Sequence, residues 1–256
     1  MALRDDAHQA VLRLMAPLAN YLIRKRISPN AVTTAGTVVT VIGGGIYGWG
    51  HIHVAGWVVG LSALCDTLDG AVARRSGRES VFGAFYDSTL DRVADAAVLG
   101  GLLVFFARNG VHQSIPYYMS TPMVAIMLLG IIGSFLTSYT RARAEGLGID
   151  VKIGMLQRAE RIILLSAPQA FFGLMLSGWV LMAICTFLTV TAWITVVQRI
   201  AFVYRHTNGA AKSDAAEQST EPTDEVGSRQ ADQRGAADGS GPRGQVASSP
   251  TFDPVR

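Results

Sequence analysis

The sequence predicts an all-α integral membrane protein with six transmembrane helices and an N-terminal interfacial amphipathic helix. Three observations predict this fold. Half of the 256 residues are hydrophobic and only 16% are charged, whereas soluble domains carry about 25% charged residues. Apolar runs of about 20 residues, the length that crosses a bilayer, can be marked six times. Basic residues concentrate in alternate connections between these runs, a pattern typical of multi-pass membrane proteins.

The first element is a helix predicted over residues 5–26. Its apolar side chains cluster on one side, which is typical of a helix that lies on a membrane surface. A short soluble helix packed on the connecting loops is the alternative. Pro29 ends this helix before the first apolar run. We interpret residues 1–30 as a cytoplasmic juxtamembrane segment.

The predicted membrane domain covers residues 31–205. Its six apolar runs lie near 32–50, 54–75, 83–107, 120–143, 159–177 and 179–203. Arginines and lysines precede the first run, separate the second from the third and the fourth from the fifth, and follow the sixth. Because cytoplasmic loops carry the excess of basic residues, we expect both termini on the cytoplasmic side of the cell (plasma) membrane.

Residues 206–256 differ from the rest in composition. They are rich in Gly, Ser, Ala, Asp and Gln and contain few large apolar residues. Such a segment buries too little surface to offset its ordering entropy, so we predict a disordered cytoplasmic tail. The body that precedes it is basic, which favours a membrane with an anionic face. Its basic residues lie between apolar runs rather than along one stripe, so we expect no nucleic-acid partner.

Four aspartates lie in one short stretch: Asp66 and Asp69 end the second run, and Asp87 and Asp91 begin the third. A carboxylate at the bilayer centre costs roughly 2.5–3.5 kcal/mol, so the quartet must be neutralised. Spacings of three and four residues place each pair on one helix face. The two antiparallel helices can bring these faces together near the cytoplasmic surface. That arrangement suits two Mg²⁺ ions, with Mn²⁺ as the alternative metal. A structural ion-pair network with nearby arginines is the alternative interpretation.

Small and basic residues accompany the aspartates at fixed spacing. Gly70 and Gly83 remove side chains where a nucleotide or a helix must come close, and Arg74 is placed to meet a phosphate. The whole segment reads D-x2-D-G-x2-A-R-x8-G-x3-D-x3-D. This pattern resembles that of the CDP-alcohol phosphotransferase family, with every fixed position present. The resemblance extends over residues 10–205 and implies a phospholipid-biosynthetic enzyme.

The resemblance implies a reaction and a site. An alcohol hydroxyl attacks the β-phosphorus of CDP-diacylglycerol, a membrane lipid, and CMP leaves. Asp66, Asp69 and Asp87 would bind metal, while Asp91 would bind metal and act as general base. Eight residues would contact CDP-diacylglycerol: Pro29, Asn30, Ala31, Val32, Thr33, Gly70, Arg74 and Ser80. Similar enzymes often form homodimers, so we expect one here.

The acceptor alcohol is predicted from three arginines in the second half of the chain, Arg141, Arg161 and Arg199. Guanidinium groups match phosphate oxygens bidentately, so the three could converge on an acceptor that already carries a phosphate. The surrounding segments resemble the actinobacterial phosphatidylinositol phosphate synthases of this family, in which Lys often stands where Arg141 is. This resemblance implies inositol phosphate (1D-myo-inositol 3-phosphate) as acceptor. The arginines are otherwise interpreted as anchors near lipid headgroups.

Two other functions remain open at this point. A phosphatidylglycerophosphate synthase would use the same donor and metals, with glycerol 3-phosphate as the acceptor. A cation transporter would use the aspartates as an ion pathway, but it requires charges near the middle of the membrane. Here the acidic cluster lies at one end of its helices, beside basic loops.

Overall fold

In a computed structural model, the described residues are 15–77, 80–109, 113–151, 153–156 and 158–220; for residues 64, 66, 67 and 209–220 the description covers the backbone alone. Within these ranges the chain consists of helices joined by turns and loops and contains no β-strand. The helices are α1 (15–24), α2 (Pro29–Trp49), α3 (Ile52–Ser76), α4 (Val81–Ala107), α5 (Ser120–Glu145), α6 (Arg158–Phe172) and α7 (Trp179–Thr220), and a 3₁₀ turn at Tyr117–Met119 precedes α5. The all-α prediction is therefore confirmed over the described residues.

Among the described residues, three helical segments are long and apolar enough to cross a membrane. They are Pro29–Trp49, Tyr117–Glu145 and Trp179–Asn208. Helices α3 and α4 have 25 and 27 residues, more than the roughly 20 that a bilayer requires, but they carry the aspartates and arginines. Helix α6 has 15 residues and therefore rises only about 22 Å. The three long apolar segments indicate that the chain is an integral membrane protein.

Two helix ends differ from the predicted runs. Helix α6 ends at Phe172 instead of continuing to residue 177, because Gly173 takes the left-handed conformation at φ +54° and ends the helix. Helix α7 continues to Thr220 instead of ending near residue 203. The first part of the predicted disordered tail, residues 206–220, therefore has a helical backbone. Its alanines, which have the highest helix propensity, account for the extension. The rest of that tail lies outside the described residues.

Helices α2 and α4 approach each other through glycines. A Cβ on Gly44 would collide with the Ala97 carbonyl, and a Cβ on Gly101 would collide with the Gly44 carbonyl. Gly56 of α3 lies equally close to the backbone of Ala170 in α6, where an added Cβ would be 2.5 Å from the Ala170 nitrogen. Membrane helices pack closely through such small residues, because lipid gives no hydrophobic drive for association. The position of α4, and with it that of Asp87 and Asp91, therefore depends on the glycine contact between α2 and α4.

Helix α1 packs against the first turn of α2 and the second half of α3. Ala19 is fully buried in a cluster with Val32 of α2 and with Leu68, Ala71 and Val72 of α3. Met15, Leu22 and Ile23 pack against the same cluster. The predicted helix over residues 5–26 is thus helical from residue 15 to 24, and residues 1–14 lie outside the described part of the chain.

Candidate active site

The start of α2 is joined to the acidic ends of both α3 and α4. Thr33 donates a hydrogen bond from Oγ1 to Oδ2 of Asp69 at 2.7 Å. One residue further on, Thr34 Oγ1 lies 3.0 Å from the hydroxyl of Tyr86 in α4. Asp69 is only 7% exposed, so this hydroxyl orients a buried carboxylate. A charge-assisted hydrogen bond of this kind is stronger than one between neutral groups.

The segment predicted to meet CDP-diacylglycerol forms the first turn of α2. Ser28 caps this helix, with Oγ accepting from the Ala31 nitrogen at 3.2 Å, and Pro29 occupies the first turn. Val32 is buried against α3. The N–H groups in the first turn of a helix have no partner within the helix, so a proline at this position loses no hydrogen bond. The local sequence therefore fixes residues 29–33 beside Asp69.

The glycines of the motif leave room for neighbouring side chains. The Arg74 guanidinium lies beside Gly70, where an added Cβ would be 3.1 Å from Nη1. A Cβ on Gly83 would lie 3.0 Å from Ser80 Oγ and 3.5 Å from Asn30 Oδ1. Ser80 caps α4 and accepts a hydrogen bond from the Gly83 nitrogen at 2.9 Å. Asn30, Ser80 and Gly83 thus come together, while Arg74 is exposed.

Asp91 is joined to an arginine that lies outside the motif and is not one of the three predicted acceptor arginines. Arg158, the first residue of α6, places Nη1 2.7 Å from Asp91 Oδ1. The same guanidinium places Nε 3.5 Å from Oδ1 of Asp95. Asp95 lies outside the motif, and the regular spacing Asp87–Asp91–Asp95 was the only indication in the sequence that it belongs to the same helix face. The contact with Arg158 joins distant parts of the chain, and no local pattern predicts it.

The three predicted acceptor arginines have different surroundings. Arg199 donates from Nε to the Ile153 carbonyl at 2.9 Å and from Nη1 to the Thr137 carbonyl. It lies within electrostatic range of both Arg141 and Arg161. Arg141 is exposed and paired with Glu145 at 2.8 Å.

Arg161 is the most enclosed of the three. Its Nε is buried without a hydrogen-bond partner, and it lines a cavity of about 60 Å³ together with Arg158, Asp95 and Ser134. The other residues that line the cavity are mainly apolar. A buried guanidinium with an unused donor is suited to receive an anionic oxygen.

The comparison with known proteins identifies the family. A family model described as CDP-alcohol phosphatidyltransferase matches residues 26–201. The chain belongs to this family. Its membership makes the chain a transferase, and the matched region contains every aspartate of the motif.

Relatives and solved structures show which members of the family this chain is similar to. The phosphatidylinositol phosphate synthase of Streptomyces avermitilis is 34% identical over 223 residues, which are 82% of this chain and 85% of that protein. A crystal structure of Mycobacterium tuberculosis phosphatidylinositol phosphate synthase with CDP-DAG bound has 33% identity and a TM-score of 0.66, and the match covers 75% of this chain and 94% of that one. A second structure of that synthase, in complex with manganese and citrate, has a TM-score of 0.65 at 33% identity, over 73% and 88% of the chains.

The donor set of this phosphatidyltransferase suits a hard divalent cation. Its candidate ligands are carboxylates, and the buried Asp69 oxygen is already oriented by Thr33. Oxygen-only donors favour Mg²⁺ or Mn²⁺ over softer metals. Among the side chains that the structure describes, no three of the His, Cys, Asp and Glu type lie close enough to hold a metal. Asp66, the fourth predicted ligand, lies in α3, and its side chain is outside the description.

Proposed function

We propose that the chain transfers the phosphatidyl group of CDP-diacylglycerol to inositol phosphate, giving phosphatidylinositol phosphate and CMP. This proposal rests on one observation: the motif carboxylates and a partly buried arginine lie in the same group of helices. Carboxylates of the family motif lie on α3 and α4, and Arg161 lies within electrostatic range of Asp91 and Asp95. The first site serves a CDP-linked lipid, and the second serves an acceptor that carries its own phosphate.

The proposed donor site uses the first turn of α2 and the motif. Asp66, Asp69 and Asp87 hold the metal, and Thr33 keeps Asp69 in place through the 2.7 Å hydrogen bond. We propose two Mg²⁺ ions, with Mn²⁺ as a substitute. When bound, such ions polarise phosphoryl oxygens and stabilise the charge that develops on the leaving group. Arg74 and the turn at 29–33 contact the CDP group, and Gly70 leaves the space for it.

The proposed reaction begins at the acceptor. Asp91 accepts the proton of the attacking inositol hydroxyl, and the oxygen forms a bond to the β-phosphorus as the bond to CMP breaks. Arg161 and Arg199, with Arg141 at the exposed edge, hold the phosphate that the acceptor brings. Holding both reactants in line supplies much of the rate acceleration in a transfer of this type.

The proposed membrane arrangement follows from the same residues. The helices α2 to α7 form six spans in the plasma membrane, with both termini and the active site cytoplasmic and with α1 at the interface. The basic residues Arg24, Lys25 and Arg26 before α2, and Arg74 and Arg75 at the end of α3, support this orientation. We also propose a homodimer. The domains are those predicted, 1–30, 31–205 and 206–256.

The proposed function is tested by product formation. The purified protein in lipid nanodiscs is given CDP-diacylglycerol, Mg²⁺ and radiolabelled inositol phosphate, and lipid-linked label and CMP are measured. We expect both products in equal amounts, and neither after chelation of the metal. Incorporation of glycerol 3-phosphate without inositol phosphate would show a phosphatidylglycerophosphate synthase. Cation flux without CMP release would show a transporter.

A further inference from the structure

Asp95 lies one helical turn beyond Asp91 on α4 and outside the family motif. Its side chain is 12% exposed, and it contacts side chains from three helices. Oδ2 accepts a hydrogen bond from Ser134 Oγ of α5 at 2.9 Å. Oδ1 lies 3.5 Å from Nε of Arg158 in α6, and Oδ2 lies 3.8 Å from Nη1 of Arg92. A carboxylate in an apolar helix bundle is expensive and is usually retained for a function.

The contact with Arg158 determines how that arginine approaches Asp91. A guanidinium is planar and rigid, so fixing its Nε edge also fixes the direction in which Nη1 points. Here Nη1 lies 2.7 Å from Asp91 Oδ1, while Nε is held near Asp95 Oδ1 by an ion pair at 3.5 Å rather than by a hydrogen bond. Ser134 in turn donates a hydrogen bond to the other carboxylate oxygen of Asp95, Oδ2. Asp95, Arg158 and Asp91 therefore form one chain of contacts that begins at α5 and ends at the proposed base.

The charges of this group are closely balanced. Two carboxylates, Asp91 and Asp95, face two guanidiniums, Arg92 and Arg158, and Arg161 is the next cation. If Asp95 loses its charge, Arg92 and Arg158 have Asp91 as their shared carboxylate partner. We expect both cations then to move toward Asp91 and to change the orientation of its carboxylate.

We infer that Asp95 is a positioning residue for the transfer reaction: it holds Arg158 and Arg92 so that the Asp91 carboxylate keeps the orientation that the acceptor hydroxyl requires. This inference rests on the proposed role of Asp91 as the base. It assigns a function to a residue that the motif does not include. Asp95 acts through Arg158 and does not touch the reacting atoms.

A purely structural role for Asp95 makes a different prediction. Asp95 also links α4 to α5 and α6, and loss of that link alone would destabilise the protein. An uncharged link in the same bundle gives the matched control. Thr40 of α2 donates to Ser62 Oγ of α3 at 2.8 Å, and both residues are buried. Ser62→Ala therefore removes a buried interhelical hydrogen bond without changing any charge.

The test is a double-mutant cycle on turnover. Asp95→Asn, Arg158→Gln and the double variant are purified in nanodiscs, and kcat, both KM values and the unfolding temperature are measured. We expect Asp95→Asn to lower kcat about tenfold, while the KM for CDP-diacylglycerol is unchanged. Because the two residues act as a unit, we expect Asp95→Asn to have little further effect in the Arg158→Gln background. Asp95→Glu should recover part of the lost kcat, whereas Ser62→Ala should lower only the unfolding temperature.

Three results would overturn the inference. Effects of Asp95→Asn and Arg158→Gln that multiply would show that the residues act independently. An Asp95→Asn variant with wild-type kcat and a lowered unfolding temperature would show a structural link. Wild-type kcat in Arg158→Gln would show that Asp95 does not act on the reaction through Arg158. If Arg158→Gln does not fold, Arg158→Lys takes its place, because it keeps the charge and loses the planar fork.

Failure of the proposed function gives a separate result. If the wild-type protein uses glycerol 3-phosphate instead, the acceptor is wrong and the same cycle is measured with that acceptor. If Asp91→Asn keeps wild-type turnover, the base is wrong, and the inference falls with it. If Asp91→Asn is inactive and the cycle shows no coupling, only the role of Asp95 is wrong.

Discussion

The proposed donor half of the site, which comprises the start of α2 and the motif of α3 and α4, is organised differently from the proposed acceptor half around Arg161 and Arg199. In the donor half, α2, α3 and α4 are joined by hydrogen bonds between side chains, including Thr33 to Asp69 and Thr34 to Tyr86. In the acceptor half, Arg199 bonds to two backbone carbonyls and Arg161 has a buried Nε without a hydrogen-bond partner. The donor half is therefore preorganised, whereas the acceptor half holds cationic donors that an anion can still engage.

This difference has a consequence for specificity. The carboxylates of the proposed donor half belong to the motif, whereas the arginines of the proposed acceptor half lie outside it. Selection of the acceptor then depends on groups outside the motif. Substitutions in the donor half should therefore impair the reaction with any acceptor, and substitutions in the acceptor half should change the preference among acceptors.

The largest effect is expected at Asp91. Asp91→Asn removes the proposed base and should lower kcat about 10²–10⁴-fold, the usual contribution of general base catalysis. The assay is CMP release with inositol phosphate and separately with glycerol 3-phosphate. Asp150→Asn, on the exposed loop between α5 and α6, is the control and should keep wild-type turnover. Activity above a tenth of wild type in Asp91→Asn would contradict the proposed role.

The next effect tests the helix contact that positions α4. Gly101→Ala places a Cβ against the Gly44 carbonyl, and overpacking of this kind typically costs 1–3 kcal/mol. A protein of this size should lose about 2–4 °C in unfolding temperature for each kcal/mol. The adjacent Gly100→Ala is the matched control, because nothing lies within 4 Å of its added Cβ. Equal unfolding temperatures for the two variants would mean that the contact does not stabilise the donor half.

A smaller and more selective effect is expected at Arg161. Arg161→Lys keeps the charge but loses the planar fork, and we expect the KM for inositol phosphate to rise about tenfold. The KM for CDP-diacylglycerol should stay unchanged. Arg205→Lys makes the same substitution at an exposed position and should have no effect. A rise in both KM values would mean that Arg161 supports the whole site and not the acceptor alone.

A comparable loss is expected at Thr33, in the donor half. Thr33→Val removes the hydroxyl that orients Asp69, and hydrogen bonds to charged groups contribute about 1.5–3 kcal/mol. The Mn²⁺ concentration for half-maximal activity should rise about tenfold, with the same rise for either acceptor. Thr37→Val is the control, since Thr37 donates only within α2, to the Thr33 carbonyl at 3.0 Å. A change limited to one acceptor would break the division into two halves.

The smallest effect is expected from the tail. Truncation after Thr220 removes residues that the sequence predicts to be a solvated appendage. We expect kcat and both KM values within twofold of the full chain. A larger change would assign the tail a part in the reaction.

The sequence predicted the helices better than it predicted their ends. The apolar runs predicted the positions of α2 to α7, and three of the described helical segments are long and apolar enough to cross a membrane. The early end of α6 depends on the backbone of Gly173 at φ +54°, which composition does not reveal. The extension of α7 to Thr220 reflects the helix propensity of its alanines. The prediction of a disordered tail was based on low apolar content alone.

The two halves of the site also differ in how much the sequence predicted. The motif places Asp69, Gly70 and Arg74 within one helical turn or two, so local spacing is enough to group them. The contacts of Arg158 with Asp91 and Asp95 join α6 to α4, and only tertiary packing brings these residues together. The pair of Arg141 with Glu145 has the i,i+4 spacing typical of helix ion pairs, and the sequence alone already contained it.

The central claim is that the acceptor half selects inositol phosphate. The most direct measurement is a competition in which equal concentrations of inositol phosphate and glycerol 3-phosphate, with different labels, react with CDP-diacylglycerol in one tube. The product ratio gives the ratio of kcat/KM values. We expect labelled inositol phosphate to dominate in the wild-type protein and Arg161→Lys to lower the ratio. A wild-type ratio that favours glycerol 3-phosphate would contradict the claim.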